Sequence, residues 1–178
     1  MKLFLYHFFK KSDIERASRF IYLNKTCFNG LYRVNKNNQN NVPMGNYKEP
    51  NICDDEVILN ASEALQNVNT LNASYQEVLK YASKGDLVYF DPPYYPLTQT
   101  SNFTSYSEFE FLEKEQKELF EVFKNLDKIG CNVLHSNSDT KFIKDLYKNF
   151  EIIKIFANRF INSKSESRGK ISEILVRS

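Results

Sequence analysis

The chain has 178 residues, 42% of them hydrophobic and 26% charged, with a formal net charge of +2. That is an ordinary globular composition, long enough to bury a core, and too evenly charged to announce a nucleic-acid partner by itself. Cys27, Cys53 and Cys131 lie far apart with no metal-ligand spacing to His7 or His135, so neither a disulfide framework nor a metal site is expected. Reduced thiols and a cytoplasmic location are the expectation. The apolar opening from Met1 to Phe9 is interrupted by His7. It is too short to span a bilayer and has no signal-peptide pattern, so no membrane partner is expected.

Ser12-Asp13-Ile14-Glu15 has the form of a capping box, and Ile14, Ala17, Phe20 and Ile21 recur on one helical face through about Leu23. From Thr26 to Lys48 the helical period is lost, and Lys36-Asn37-Asn38-Gln39-Asn40 reads as the tip of an exposed hairpin or loop. An amphipathic helix is expected from Asp55 to Gln66, with Val57, Ile58, Ala61 and Leu65 on one side, then a short strand near Val68 to Leu71. Ser74-Tyr75-Gln76-Glu77 looks like a second capping box, opening a helix to about Tyr81.

The stretch Leu87-Val88-Tyr89-Phe90-Asp91-Pro92-Pro93-Tyr94 follows the turn-like Lys84-Gly85-Asp86. Its apolar, β-prone start predicts a short buried strand of a parallel sheet. The proline pair cannot donate to a ladder, so Asp91 and Pro92 leave the sheet at the strand's carboxyl end, where open α/β sheets place their ligands. There the Asp91 carboxylate and the Pro92 carbonyl are two acceptors on a stiff segment, and the Tyr94 ring is a flat surface beside them. That set suits a planar amine. With both its hydrogens held, an exocyclic amino nitrogen can pyramidalise and aim its lone pair at an electrophilic methyl group, and a nucleobase carrying it would have to be flipped out and stacked.

From Pro96 to Ser107 no period is clear, and a mobile loop is expected there, with Phe103 and Tyr106 near the site. A long helix from Glu113 to Lys128 carries Leu119, Phe120, Phe123 and Leu126 inward and stops at Gly130. Cys131 to His135 predicts a strand ending at Ser136-Asn137-Ser138-Asp139, followed by a helix from Thr140 to Asn149. Two β-like runs, Glu151 to Phe156 and Ile171 to Val176, bracket a polar loop at Asn162 to Arg168. Basic residues near Arg33, Lys36 and Lys48, and near Arg159, Lys164, Arg168 and Lys170, read by themselves as a solvated surface, with a spacing that also allows them to gather on one face.

Asp91-Pro92-Pro93-Tyr94 resembles motif IV of the S-adenosylmethionine-dependent amino-methyltransferases. The flanks Tyr95-Pro96-Leu97, Ser101-Asn102-Phe103-Thr104-Ser105-Tyr106 and Ser136-Asn137-Ser138-Asp139-Thr140 resemble the Dam-type, or D12 class, DNA adenine-N6 methyltransferases. So do the run from Asn24 to Asn35 and the run from Asn41 to Lys48. The resemblance covers nearly all of the chain from about Asp13. It implies an α/β fold, a partial Rossmann-like methyltransferase sheet with an inserted target-recognition segment. The implied divisions are 1–25, an amino-terminal segment and helix; 26–50, the target-recognition segment; and 51–178, a catalytic half-domain.

The resemblance also implies a function: methyl transfer from S-adenosylmethionine to N6 of a flipped adenine in double-stranded DNA, within GATC, in a restriction-modification setting. Asp91, Pro92, Pro93 and Tyr94 are then the catalytic set. Ser74, Tyr75 and Asp91 are the cofactor contacts, with Ser74 standing where the family often has an acid. Phe28, Asn29, Leu31, Arg33, Asn35, Asn41, Pro43, Tyr47 and Lys48 are the DNA contacts. Arg33 suits a guanine edge, Leu31 and Pro43 a thymine methyl, Tyr47 and Lys48 phosphates. Asn46 departs from the basic residue often seen there.

Gly30, Gly45, Gly85, Gly130 and Gly169 are all isolated, so the family's Gly-rich cofactor turn has no counterpart. The chain is therefore expected to correspond to the carboxyl-terminal part of a methyltransferase, with Leu87 to Phe90 left as a bare central strand. Self-association, a complementing amino-terminal chain, or repair by Met1 to Phe9 would answer that edge. The alternative is a non-catalytic DNA-binding fragment, or one half of a split enzyme that takes its cofactor site from a partner chain.

Overall fold

The computed structural model describes residues 12–35, 37, 39–97, 111–158 and 170–178. The expectations for Met1 to Phe9, for Phe103 and Tyr106, and for the Asn162 to Arg168 loop lie outside these residues. The chain forms two compact units, Met1–Leu71 and Asn72–Ser178. Among the described residues no helix is long and apolar enough to cross a membrane.

In the first unit, helix α1 (Asp13–Thr26) starts at the expected capping box. Ser12 N–H donates to the Glu15 carboxylate at 2.9 Å, and Glu15 N–H to Ser12 Oγ at 3.3 Å. The inward face differs from the expected one. Arg19, Leu23 and Thr26 are buried, whereas Ile14 and Phe20 are exposed, Ile14 to 80%. Apolar spacing reveals a helix but not which side its partner reaches. Here the partner is the chain that follows, which returns to bridge Cys27 with Met44.

Between those residues runs the expected hairpin, with a second bridge from Val34 to Asn40. At its tip, Asn35 Oδ1 accepts the N–H groups of Asn37 and Gln39, each at 3.0 Å. Helix α2 (Asp55–Ala64) is capped by Asp54, whose carboxylate accepts from Val57 N–H at 3.2 Å. It buries no residue. The strand expected at Val68 to Leu71 does not form. Val68 N–H closes a turn onto Leu65 at 3.1 Å, and the side chains of Val68 and Leu71 are exposed, so a run of two apolar residues among asparagines finds no sheet to join.

The second unit opens with a 3-10 helix, Tyr75–Lys80, in place of the expected capped α-helix. The Ser74 hydroxyl is engaged with Gln76 Oε1 at 2.6 Å, which leaves Glu77 N–H to close on the Ser74 carbonyl at 3.0 Å, the tighter i to i+3 pattern. Then come β1 (Leu87–Phe90), α3 (Glu113–Ile129), β2 (Asn132–Ser138), α4 (Lys141–Leu146), β3 (Glu151–Asn158) and β4 (Lys170–Arg177). Gly130 ends α3 with φ of 92°, a conformation that favours glycine.

The fold is mixed α/β around one four-stranded sheet in the order β1-β2-β4-β3. β1 and β2 run parallel with Phe90 opposite His135, and β4 pairs antiparallel with both β2 and β3. The expected strand–helix–strand–helix–strand-pair succession is present. α3 lays Leu119, Val122, Phe123 and Leu126 on the core, where they join Val133, Ile143, Tyr147, Ile174 and Val176.

One expectation for β1 is corrected. It is an edge strand among the described residues, half buried instead of enclosed. Val88 and Phe90 face the core cluster, while Leu87 is 68% and Tyr89 56% exposed. Alternation along a strand with only one covered face produces this pattern.

Candidate active site

β1 delivers Asp91 at its carboxyl end, as the proline pair dictates, and the turn that follows is not folded into the core. Asp91 and Pro93 are exposed; Pro92, Tyr94 and Tyr95 are half buried. Strand β2 lies parallel beside β1 and runs past its end, so Ser136, Asn137 and Ser138 stand next to the turn. Each of the three grips it.

The buried Ser136 hydroxyl donates to Asp91 Oδ1 at 2.8 Å and itself accepts from the Tyr89 hydroxyl at 3.0 Å. Asn137 Oδ1 accepts the Tyr95 N–H at 2.9 Å. Ser138 Oγ donates to the Tyr95 carbonyl at 2.7 Å. From the helix side, Gln116 Nε2 donates to the Pro93 carbonyl at 3.0 Å. Among the described residues the Pro92 carbonyl accepts no hydrogen bond. Among the described residues the turn thus keeps two acceptors, Asp91 Oδ2 and the Pro92 carbonyl, uncommitted, while Asp91 Oδ1, the Pro93 carbonyl and both backbone groups of Tyr95 are held from behind.

Tyr94 has its phenol pushed up from the ordinary range, first by burial, with Ser136 pulling the other way and the charges of Glu173 and Asp91 adding to the rise. The phenol therefore stays neutral at ordinary pH. Tyr95 turns its ring onto Phe142, with centroids 4.6 Å apart, and its hydroxyl donates to Glu113 at 3.2 Å.

Of the residues expected to touch a cofactor, Tyr75 packs its ring against Phe111, with centroids 6.1 Å apart, and burial raises its phenol, helped by Glu118 and Glu115 of α3. Ser74 is bonded to Gln76. Asp91 is the member of that set with an open acceptor. A charged carboxylate at a strand's end suits a cofactor amine, whereas the described residues supply no glycine-bearing turn after a strand to cradle a nucleoside. The fit is therefore confined to one oxygen.

The residues expected to contact DNA belong to the first unit. Phe28 is exposed, its N–H bonded to the Pro43 carbonyl at 2.9 Å. Asn29 takes a left-handed backbone, φ 53°. Arg33 Nε donates to Asn41 Oδ1 at 2.8 Å, which braces an exposed guanidinium. Asn35 spends its side chain on the hairpin tip, and the Tyr47 hydroxyl donates to the Cys27 carbonyl at 3.2 Å. Lys48 is exposed and Leu31 half buried.

Sequence reasoning found the turn and singled out the Ser136-Asn137-Ser138 run by resemblance, but gave that run no role beside the turn and did not name Gln116. The signals were present: a polar run where a buried strand should be apolar, and one glutamine on the Leu119, Phe123, Leu126 stripe of α3. Among the described residues no cluster of metal-ligating side chains is present.

A carboxylate and a proline carbonyl thus stand together, open, at the mouth of a parallel strand pair. Residues 4–161 match the family of D12 class N6 adenine-specific DNA methyltransferases, and the chain belongs to that family. It is 48% identical over 169 residues to Type II methyltransferase M1.LlaDCHI of Lactococcus lactis subsp. cremoris, covering 94% of this chain and 60% of that protein. Type II methyltransferase M.MjaIII of Methanocaldococcus jannaschii is 44% identical over 166 residues, 92% of this chain and 57% of its own length. The DNA adenine methylase of Haemophilus influenzae is 37% identical over 163 residues, 91% and 57% respectively. The chain thus spans 57–60% of the length of these relatives.

Proposed function

We propose that this chain carries the amine-binding part of a DNA methyltransferase that alkylates N6 of a flipped adenine in double-stranded DNA, within GATC. The observation that carries the reading is the pair of uncommitted acceptors, Asp91 Oδ2 and the Pro92 carbonyl, on a turn that Ser136, Asn137, Ser138 and Gln116 hold from behind. They accept the two N6 hydrogens, and Tyr94 supports the purine ring by stacking. S-adenosylmethionine supplies the electrophilic methyl group when bound. The nitrogen's extra proton leaves after transfer, so no strong base is needed.

The parallel β1–α3–β2 unit with ligands at its carboxyl end supports reading the sheet as part of a Rossmann-like domain. The segment 26–50 is the target-recognition element in this reading. Arg33, braced by Asn41, reads a guanine edge. Asn35 shapes the tip, Phe28, Asn29, Leu31 and Pro43 belong to the same hairpin, and Tyr47 and Lys48 follow it. Ser74 and Tyr75 enter the cofactor site only by exchanging their present partners.

The test is transfer of labelled methyl to a GATC duplex, by this chain alone and mixed with a chain bearing the family's Gly-rich cofactor turn. Labelled N6-methyladenine is expected in the mixture. Label on cytosine, or none in either case, would refute the reading.

The confined cofactor fit favours a second reading, one half of a split enzyme or a DNA-binding fragment. Calorimetry with S-adenosylmethionine separates them: saturable binding by this chain alone argues for a self-sufficient enzyme, and no heat with retained duplex binding argues for the half.

A further inference from the structure

Behind the acceptor turn lies a buried amide pair, Asn137 and Gln116, whose orientation the hydrogen bonds fix. Asn137 Oδ1 receives two N–H groups, from Tyr95 at 2.9 Å and Ser138 at 2.8 Å. The atom receiving both is the oxygen, so Nδ2 faces the other way. It lies 3.0 Å from Gln116 Oε1 and 3.2 Å from His135 Nε2, one hydrogen for each, which makes that imidazole nitrogen the unprotonated one. Gln116 is oriented in turn. With its oxygen facing Asn137, its Nε2 donates to the Pro93 carbonyl at 3.0 Å. Asn137 and Gln116 are both 0% exposed, so neither can trade a lost bond for water.

Two torsions separate the Pro93 carbonyl from the Pro92 carbonyl. The φ of Pro93 is locked by its ring, and its ψ is pinned by the bond from Gln116. Fixing one carbonyl therefore fixes the direction of the other. We propose that Gln116, oriented by Asn137, is a positioning residue that aims the Pro92 carbonyl at the substrate amine. This rests on the reading above, in which that carbonyl accepts from N6.

The variants that test it are Gln116→Glu, which turns the donor to Pro93 into an acceptor, and Gln116→Met, which keeps the length without a charge if the first fails to fold. In the complemented enzyme, kcat is expected to fall about 100-fold, the usual cost of misplacing a reacting group by about 1 Å. KM for DNA and duplex affinity should stay within about twofold, since the loss belongs to the transition state alone. A folded variant with kcat near that of the parent overturns the proposal. So does a parallel loss in kcat, KM and duplex affinity, which a structural role would give. Hydrogen exchange at the Tyr95 amide is read in the same proteins. Faster exchange in the variants shows the clamp released, and unchanged exchange overturns it even if the parent proves inactive on adenine. That inactivity would sink the functional reading separately.

Discussion

Ser136 Oγ stands 2.8 Å from Asp91 Oδ1 and, one residue beyond the His135 that lies opposite Phe90 on the neighbouring parallel strand, also 3.4 Å from the Phe90 carbonyl. A single hydroxyl proton is thereby directed to one carboxylate oxygen, and the second oxygen is left for an incoming donor. The arrangement exists because β2 outlasts β1. The shorter strand ends in a turn, and the longer one provides the wall against which the turn leans.

Asp91→Ala should abolish methyl transfer in the complemented enzyme and leave duplex binding intact, because the carboxylate is exposed and holds up no core. A filter-binding assay beside the transfer assay checks both. Equal loss of the two would remove Asp91 from its assigned place.

Ser136→Ala deletes a buried hydroxyl that orients Asp91 without touching the amine. The transfer rate should fall about tenfold, with a stability cost of about 1 kcal/mol for the lost bonds. The Tyr89 hydroxyl, on a side chain 56% exposed, recovers a partner from water. Urea unfolding and single-turnover rates measure the two effects.

His135 makes stability depend on pH. Burial lowers its pKa from 6.5 to about 4, against the stacked Tyr147 ring and beside Phe123. Below about pH 6.5 the unfolded chain binds a proton that the folded chain refuses until about pH 4. Stability is therefore complete above that window and declines as pH falls through it, by roughly 3 kcal/mol in all. His135→Gln keeps an acceptor for Asn137 without titrating. Its unfolding midpoint should change far less between pH 7 and pH 4, the ordinary neutral and acid limits of the window.

Phe123 is fully buried, with ring centroids 5.3 Å from Tyr147 and 4.9 Å from Phe150. Phe123→Ala should cost about 3–5 kcal/mol, transfer and cavity terms together. That is a large share of the about 5–15 kcal/mol that holds an ordinary domain folded. Chemical denaturation followed by circular dichroism is the check.

Gly85 and Gly130 share a left-handed backbone, φ 93° and 92°, but not the same surroundings. A Cβ at Gly85 meets nothing within 4 Å, whereas one at Gly130 comes within 3.0 Å of the Lys84 side chain. Gly85→Ala should cost about 1–2 kcal/mol for the backbone alone, and Gly130→Ala somewhat more. Equal losses would show that Lys84 yields freely.

Much of the sheet unit was legible because its signals are local. Gly130 stops α3 where a left-handed residue is needed, the Leu119, Phe123, Leu126 stripe sets its inner face, and the proline pair ends β1. Unlegible were the features that depend on a partner. Nothing in Leu87 and Tyr89 tells that one side of their strand lies open, and nothing in Ile14 tells that α1 turns it outward. The Ser74 cap failed for a related reason: its hydroxyl had a competing acceptor in Gln76, two residues on. At the turn, the motif announced Asp91 but gave no hint of Gln116, because that contact joins residues 23 apart in the chain.

β4 sits between β2 and β3, and among the described residues β3 has no other neighbour in the sheet. During synthesis, then, the ribbon made by β1 and β2 and the hydrophobic strand β3 must wait, unjoined, until Lys170–Arg177 emerges from the ribosome. A premature stop upstream of those residues would orphan β3 and leave the ladder edge of β2 bare, a product open to aggregation and to quality-control proteases.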